Sequence, residues 1–159
     1  MRINYQPISN VVGVLMVLLG LSMFLTAAVS YYYSGSDFRD FLISGGITIV
    51  SGALLWFSKF STSTIVNKRE GYLIVAMGWI FLGFFGALPF MLSGVTTNFV
   101  DAFFESVSGF TTTGATIFSD IESLPPGILF WRSMTHWIGG MGVIVLTVAL
   151  FPLLGIAGI

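Results

Sequence analysis

Residues 111–116 read Thr-Thr-Thr-Gly-Ala-Thr. Four threonines in six positions gather hydroxyl and carbonyl oxygens, the ligand type that hard cations accept in place of water. Gly114 adds the backbone freedom that lets successive carbonyls turn toward one axis. Thr112, Thr113 and Gly114 are therefore expected to coordinate a cation through their backbone carbonyls, with Thr111 and Ala115 as secondary neighbours. Taken alone, such a run is a turn in most proteins. Its setting argues for more: long apolar segments flank it, and irregular backbone at membrane depth persists only when buried in protein or lining a watery cavity.

Three other groups could do chemistry. Asp120 and Glu122 are the only charges in residues 117–127. They read either as an acidic mouth that concentrates cations or as a solvated turn. His136, the single histidine, is an ionisable residue in an apolar segment and so a functional candidate. Its place one turn after Arg132 and beside Trp137 favours an interfacial or packing role. Ser106, Ser108 and His136 could in principle supply a nucleophile and a base, which would make an intramembrane serine protease. No third orienting group is evident, and this reading stays a distant alternative.

The elements that must hold these residues are helical and apolar. Residues 8–31 carry no charge and are long enough to cross about 30 Å of hydrocarbon. An uncleaved span is favoured over a signal peptide, because the apolar run exceeds the usual h-region. Tyr31, Tyr32 and Tyr33 suit an interface. Residues 41–58 form a second span rich in small residues. Gly45 and Gly46 within it suit close packing or mark a weak point. Residues 71–92 form a third span, with Pro89 kinking or ending it near its outer end and Gly83 and Gly86 offering a small packing surface. Asn98 is the expected N-cap of a short helix over 99–110, with Asp101 in capping-box position. At about 18 Å this helix is too short to span and suits entry halfway, with its partly negative C-terminus at the threonine loop. Phe103, Phe104 and Phe110 are expected as packing wedges. Residues 128–154 form the last long span. Arg132 at its outer end can snorkel or pair with a carboxylate, and Gly139, Gly140 and Gly142 permit close packing behind the loop or a bend.

Composition agrees. The chain is 55% hydrophobic and 8% charged, against about 25% charged in soluble domains, so it reads as an integral membrane protein. A net charge of −1 gives no footprint for nucleic acid. The lack of cysteine excludes disulfides and thiolate chemistry. Arg2, Lys59, Lys68 and Arg69 outnumber Arg39 and Arg132 across the alternating loops, which places the N-terminus in the cytoplasm.

The blocks REGYLIV (69–75), GALPF (86–90), DAFFESVSGFTTTGAT (101–116), LPPGILFWRS (124–133) and WIGGMGVIVLTVALFPLLG (137–155) resemble, in order, the Trk/Ktr/HKT superfamily of potassium transporters, and within it the TrkH type. The resemblance covers 69–158 in wording and the first 68 residues in layout. It implies an all-α integral membrane fold: two N-terminal transmembrane helices over 1–68, then one M1–pore helix–filter loop–M2 unit over 69–159. It also implies that Gly114 is the glycine marking the filter. Potassium is then the transported substrate and no cofactor is needed.

The family carries four such units in one chain. This sequence is therefore expected to be the N-terminal portion of a longer transporter, rather than a unit that assembles as identical copies. The resemblance further implies a full-length homodimer, a cytoplasmic TrkA-type nucleotide-binding regulatory subunit, a bacterial inner-membrane location, and glutamine where His136 stands. The leading function is potassium uptake. The alternative from a different class is a non-conducting membrane packing or assembly module.

Overall fold

The computed structural model describes residues 5–57 and 68–153. They form six helices: α1 (Tyr5–Tyr32), α2 (Phe38–Phe57), α3 (Lys68–Gly86), α4 (Leu88–Leu92), α5 (Phe99–Phe110) and α6 (Pro126–Leu153). Among the described residues there is no strand, so the all-α expectation holds. Three stretches, Tyr5–Tyr32, Phe38–Phe57 and Glu70–Leu92, are long and apolar enough to cross a membrane. α6 runs for 28 residues, as long as α1. Arg2 and Lys59, half of the basic set that oriented the chain in the sequence, lie outside the described residues.

α1 and α2 form an antiparallel pair joined backbone to backbone. A β-carbon on Gly13 would stand 2.7 Å from the Gly52 carbonyl oxygen, and one on Gly52 would stand 2.8 Å from that of Gly13. Gly20 and Gly45 repeat the arrangement one heptad along, at 2.9 and 3.2 Å. Small residues let helices approach closely where lipid offers no hydrophobic drive. Gly45 thus packs, whereas Gly46 has nothing within 4 Å. The hydroxyls of Thr26, Ser44 and Thr48 bond back to carbonyls four residues earlier on their own helices. Outward positions such as Leu18, Leu25, Val50 and Leu54 are exposed and apolar, as a lipid-facing surface requires.

The third span is interrupted at Ala87, two residues before the proline anticipated as its kink. Pro89 lies in the first turn of α4, where its missing N–H costs least. The Gly86 carbonyl instead accepts from the Trp131 indole nitrogen of α6 at 3.1 Å. The N-terminus of α6 is held from the far side of the sequence. The buried Asp37 carboxylate accepts from the Ile128 N–H at 2.9 Å and from the Ser30 hydroxyl. A carboxylate at a helix N-terminus is favourably placed against the dipole. Around this joint lies the main core, with Met23, Phe41, Phe90, Ala102, Phe110, Ile128 and Trp131 drawn from five of the helices.

Candidate functional site

α5 forms over the expected bounds, and Asn98 caps it: its side-chain oxygen accepts from the Val100 N–H at 3.0 Å. The reciprocal half of a capping box is absent, because the Asn98 N–H donates to Thr96 Oγ1 rather than to Asp101. Buried positions 102, 105, 106, 109 and 110 follow helical spacing and turn toward α3 and α6. There Gly83 faces Val107 and Phe103, Gly86 faces Ser106 and Phe110, and a β-carbon on Gly139 would collide with the Phe110 carbonyl. Gly83 and Gly86 on one side and Gly139 on the other permit the close packing expected of them, whereas Gly140 makes only an ordinary contact with Thr112 and Gly142 has nothing within 4 Å. Phe110 is buried as a wedge and Phe103 packs against the core, but Phe104 is exposed and is no wedge within these residues.

The entry to the threonine loop is a Schellman turn. The Thr113 N–H donates to the Ser108 carbonyl at 3.0 Å, and the Thr112 N–H donates to the Gly109 carbonyl at 2.9 Å. These are the paired closures of that motif. It requires a left-handed residue after the cap, and Thr112 supplies it with φ +56°. A β-branched residue there is strained by about 1–3 kcal/mol. Gly114 is left-handed as well, at φ +76°. The Thr111 hydroxyl donates to the Val107 carbonyl at 2.8 Å and accepts from that of Thr113 at 2.8 Å.

The exit is tied by side chains of α5. The Ser108 hydroxyl donates to the Ala115 carbonyl at 2.6 Å. The buried Glu105 carboxylate accepts from the Thr116 hydroxyl at 3.0 Å and from the Ile117 N–H at 3.1 Å. It also pairs with the Arg132 guanidinium of α6, Nε to Oε1 at 2.6 Å. The Arg132 head lies 5.9 Å from the centre of the Phe118 ring. Between these anchors Thr111, Thr112, Thr113 and Gly114 are exposed. Among the described residues none of their four backbone carbonyls accepts a hydrogen bond. The N–H groups of Thr111, Thr112 and Thr113 and the hydroxyls of Thr111, Thr113 and Thr116 hold the loop's shape, while the carbonyls at 111–114 are left over.

The other sequence candidates separate from this site. Asp120 and Glu122 stand exposed on the return to α6. The network uses Glu105 instead. Ser106, Ser108 and His136 do not assemble a nucleophile and base. The Ser108 hydroxyl is committed to Ala115, the Ser106 hydroxyl is buried with no partner among the described residues, and His136 Nδ1 lies 2.8 Å from the Arg132 carbonyl. A carbonyl only accepts, so Nδ1 carries the proton. Glu105 was missed in the sequence. The available signal was two opposite charges, Glu105 and Arg132, within mainly apolar helices, where an ionisable side chain needs a partner.

Comparison with known proteins agrees with this architecture. A family profile described as the cation transport protein TrkH matches residues 38–159. The Trk system potassium uptake protein TrkH of Salmonella typhimurium is 42% identical over 156 residues, 98% of this chain and 32% of that protein. The TrkG protein of the Escherichia coli Trk system is 39% identical over the same shares. The crystal structure of the potassium transporter TrkH from Vibrio parahaemolyticus superposes with a TM-score of 0.91 at 38% identity, covering 99% of this chain and 34% of that one. The chain thus spans about a third of the length of the relatives it matches. With the profile matching most of its residues and the fold following that of a solved relative, the chain belongs to the TrkH family of cation transport proteins.

Proposed function

We propose that this chain takes part in potassium uptake across the bacterial cytoplasmic membrane, and that residues 111–114 form one arc of its selectivity filter. The observation that carries the reading is the row of four carbonyls on the exposed residues Thr111, Thr112, Thr113 and Gly114, with no acceptor role among the described residues. Backbone carbonyls in an apolar molecule need a partner, and a dehydrating cation supplies one. Left-handed conformations at Thr112 and Gly114, two residues apart, reverse the usual strand alternation and favour carbonyls turned to one side. Thr112, Thr113 and Gly114 are the coordinating residues, through backbone oxygens. Thr111 stands at the edge of the row. The Ala115 carbonyl already accepts from Ser108 and contributes least.

In this reading 1–68 is an N-terminal helix pair and 69–159 a pore unit, with α3 and α4 as M1, α5 as the pore helix and α6 as M2. One such loop is a quarter of a ring, so the pore is completed by further repeats of a longer chain or by identical copies. The N-terminus lies in the cytoplasm, and Asp120 and Glu122 line the outer mouth. A full-length homodimer and a TrkA-type nucleotide-binding subunit at the cytoplasmic face complete the assembly. The names of the relatives, potassium uptake proteins of Trk systems, support potassium as the ion.

The test is rubidium uptake in cells lacking their own potassium uptake. The chain is expressed from its native gene and, in parallel, in place of the matching third of a TrkH relative. Uptake that Gly114→Asp abolishes is the expected result. Uptake indifferent to Gly114→Asp rejects the filter assignment, and membrane-inserted protein without uptake in either format rejects permeation.

A further inference from the structure

Glu105 occupies an unusual position for a carboxylate. Its side chain is 2% exposed and sits on the inward face of a helix otherwise lined by Ala102, Ser106, Gly109 and Phe110. A carboxylate so buried is costly without compensating partners, and it has four contacts from three residues. Arg132 Nε and Thr116 Oγ1 meet Oε1 at 2.6 and 3.1 Å, while Thr116 Oγ1 and the Ile117 N–H meet Oε2 at 3.0 and 3.1 Å. Thr116 Oγ1 in turn accepts from the Phe118 N–H at 3.2 Å. One carboxylate thereby fixes three consecutive residues of the loop's descending limb to α5 and to α6 at once.

The two limbs of the loop are held by different means. The ascending limb is closed by backbone bonds of its own helix, which any sequence able to adopt the turn would make. The descending limb has no backbone bond to α5, and its position depends on Ser108, Glu105 and Arg132. The width between the limbs sets how far the free carbonyls stand from a common axis, so it is set by this cluster.

We propose that Glu105 is a positioning residue for ion selectivity, bracing the return limb of residues 111–116 through its ion pair with Arg132. This rests on the permeation reading. The brace acts on discrimination between ions rather than on passage, because the carbonyls themselves are untouched when it is removed. Charge is not its whole content. The Ile117 N–H and Thr116 hydroxyl need an acceptor, so exchanging the two charges to give Glu105→Arg/Arg132→Glu leaves those donors without one and does not restore the site.

The experiment uses whichever expression format supports wild-type uptake, with uptake scaled to the amount of protein in the membrane. The double variant Glu105→Gln/Arg132→Met removes both charges together and strands neither. Its rubidium-to-sodium uptake ratio is expected to fall about tenfold while rubidium uptake persists, as for loss of a charge-assisted bond from the loop. Thr116→Val, nearly isosteric, leaves the ion pair intact, removes the hydroxyl that ties the loop to Glu105 and accepts from the Phe118 N–H, and should lower the ratio about threefold. An unchanged ratio in the double variant overturns the proposal. If the double variant fails to reach the membrane, an unchanged ratio in Thr116→Val overturns it equally. Equal loss of rubidium and sodium uptake in both variants reduces Glu105 to a structural role and also overturns it. Wild-type protein that carries no rubidium in either format defeats the permeation reading itself, whereas wild-type uptake with an unmoved ratio defeats this inference alone.

Discussion

The α1–α2 pair and the α5–loop–α6 region use the same small residues to bring helices together, but they spend their polar groups differently. In α1 and α2, Thr26, Ser44 and Thr48 bond back to their own helices; Ser9 to the Leu55 carbonyl and Thr48 to the Met23 sulfur cross the pair, but the closest contact is glycine against glycine. In the second region Ser108, Thr116, Glu105 and Arg132 reach across 7 to 27 residues. The first region is regular helix fixed chiefly by shape. The second holds a non-helical loop in place, and shape alone cannot do that, because an irregular backbone must be told where each limb goes. A polar side chain at membrane depth is therefore informative only through its partner. Bonded to its own turn it is inert; bonded across the sequence it positions something.

The most severe way to break this comparison is to strand a charge. Arg132→Met leaves Glu105 buried without its cation and should cost about 3–5 kcal/mol, read as a loss of unfolding free energy in detergent. The matching polar deletion in the first region, Thr26→Val, removes an intrahelical bond only and should change stability by less than about 1 kcal/mol. Similar losses from both would erase the distinction.

Shape can be tested in both regions with one methyl group. Gly139→Ala drives a β-carbon into the Phe110 carbonyl, and Gly13→Ala drives one toward the Gly52 carbonyl at 2.7 Å. Each should destabilise by about 1–3 kcal/mol. Gly46→Ala meets nothing within 4 Å and should be neutral or stabilising by up to about 1 kcal/mol. Thermal unfolding of the three variants orders them. A Gly46→Ala as costly as Gly13→Ala would mean that the close approach seen at Gly13 is not what makes these positions sensitive, since propensity alone favours alanine.

The loop offers a sharper case, in which stability and function should move in opposite directions. Thr112 holds a left-handed conformation that glycine adopts freely. Thr112→Gly should raise unfolding stability by about 1 kcal/mol and lower the rubidium-to-sodium uptake ratio, since a freer backbone holds its carbonyls less firmly. If stability falls instead, the threonine is not strained there and the turn depends on its side chain.

Much of this was legible in the sequence because it is local. The bounds of α5, its Asn98 cap, and the glycines at 83, 86 and 139 follow from spacing and composition within a few turns. What was not legible spans the chain. Asp37 holds Ile128 across 91 residues, Gly13 and Gly20 meet Gly52 and Gly45 on another helix, and Glu105 finds Arg132. Each of those residues has a bland reading by itself, and only the fold supplies the partner. The break at Ala87 was misplaced by two residues for a related reason. Pro89 begins a new turn rather than ending the old one, and Trp131 of α6 takes up the Gly86 carbonyl.

His136 gives the smallest effect and the finest discrimination. It sits in the second region, beside the network, yet its bond is of the first kind: Nδ1 to the Arg132 carbonyl, four residues back on its own helix. By the rule that partners rather than neighbourhoods decide, His136→Gln should leave the uptake-versus-pH curve unchanged and shift stability by no more than about 0.5 kcal/mol. An acid-dependent loss of selectivity that disappears in His136→Gln would show that the histidine reaches the Glu105–Arg132 pair after all. Proximity to the network would then matter even without a bond to it.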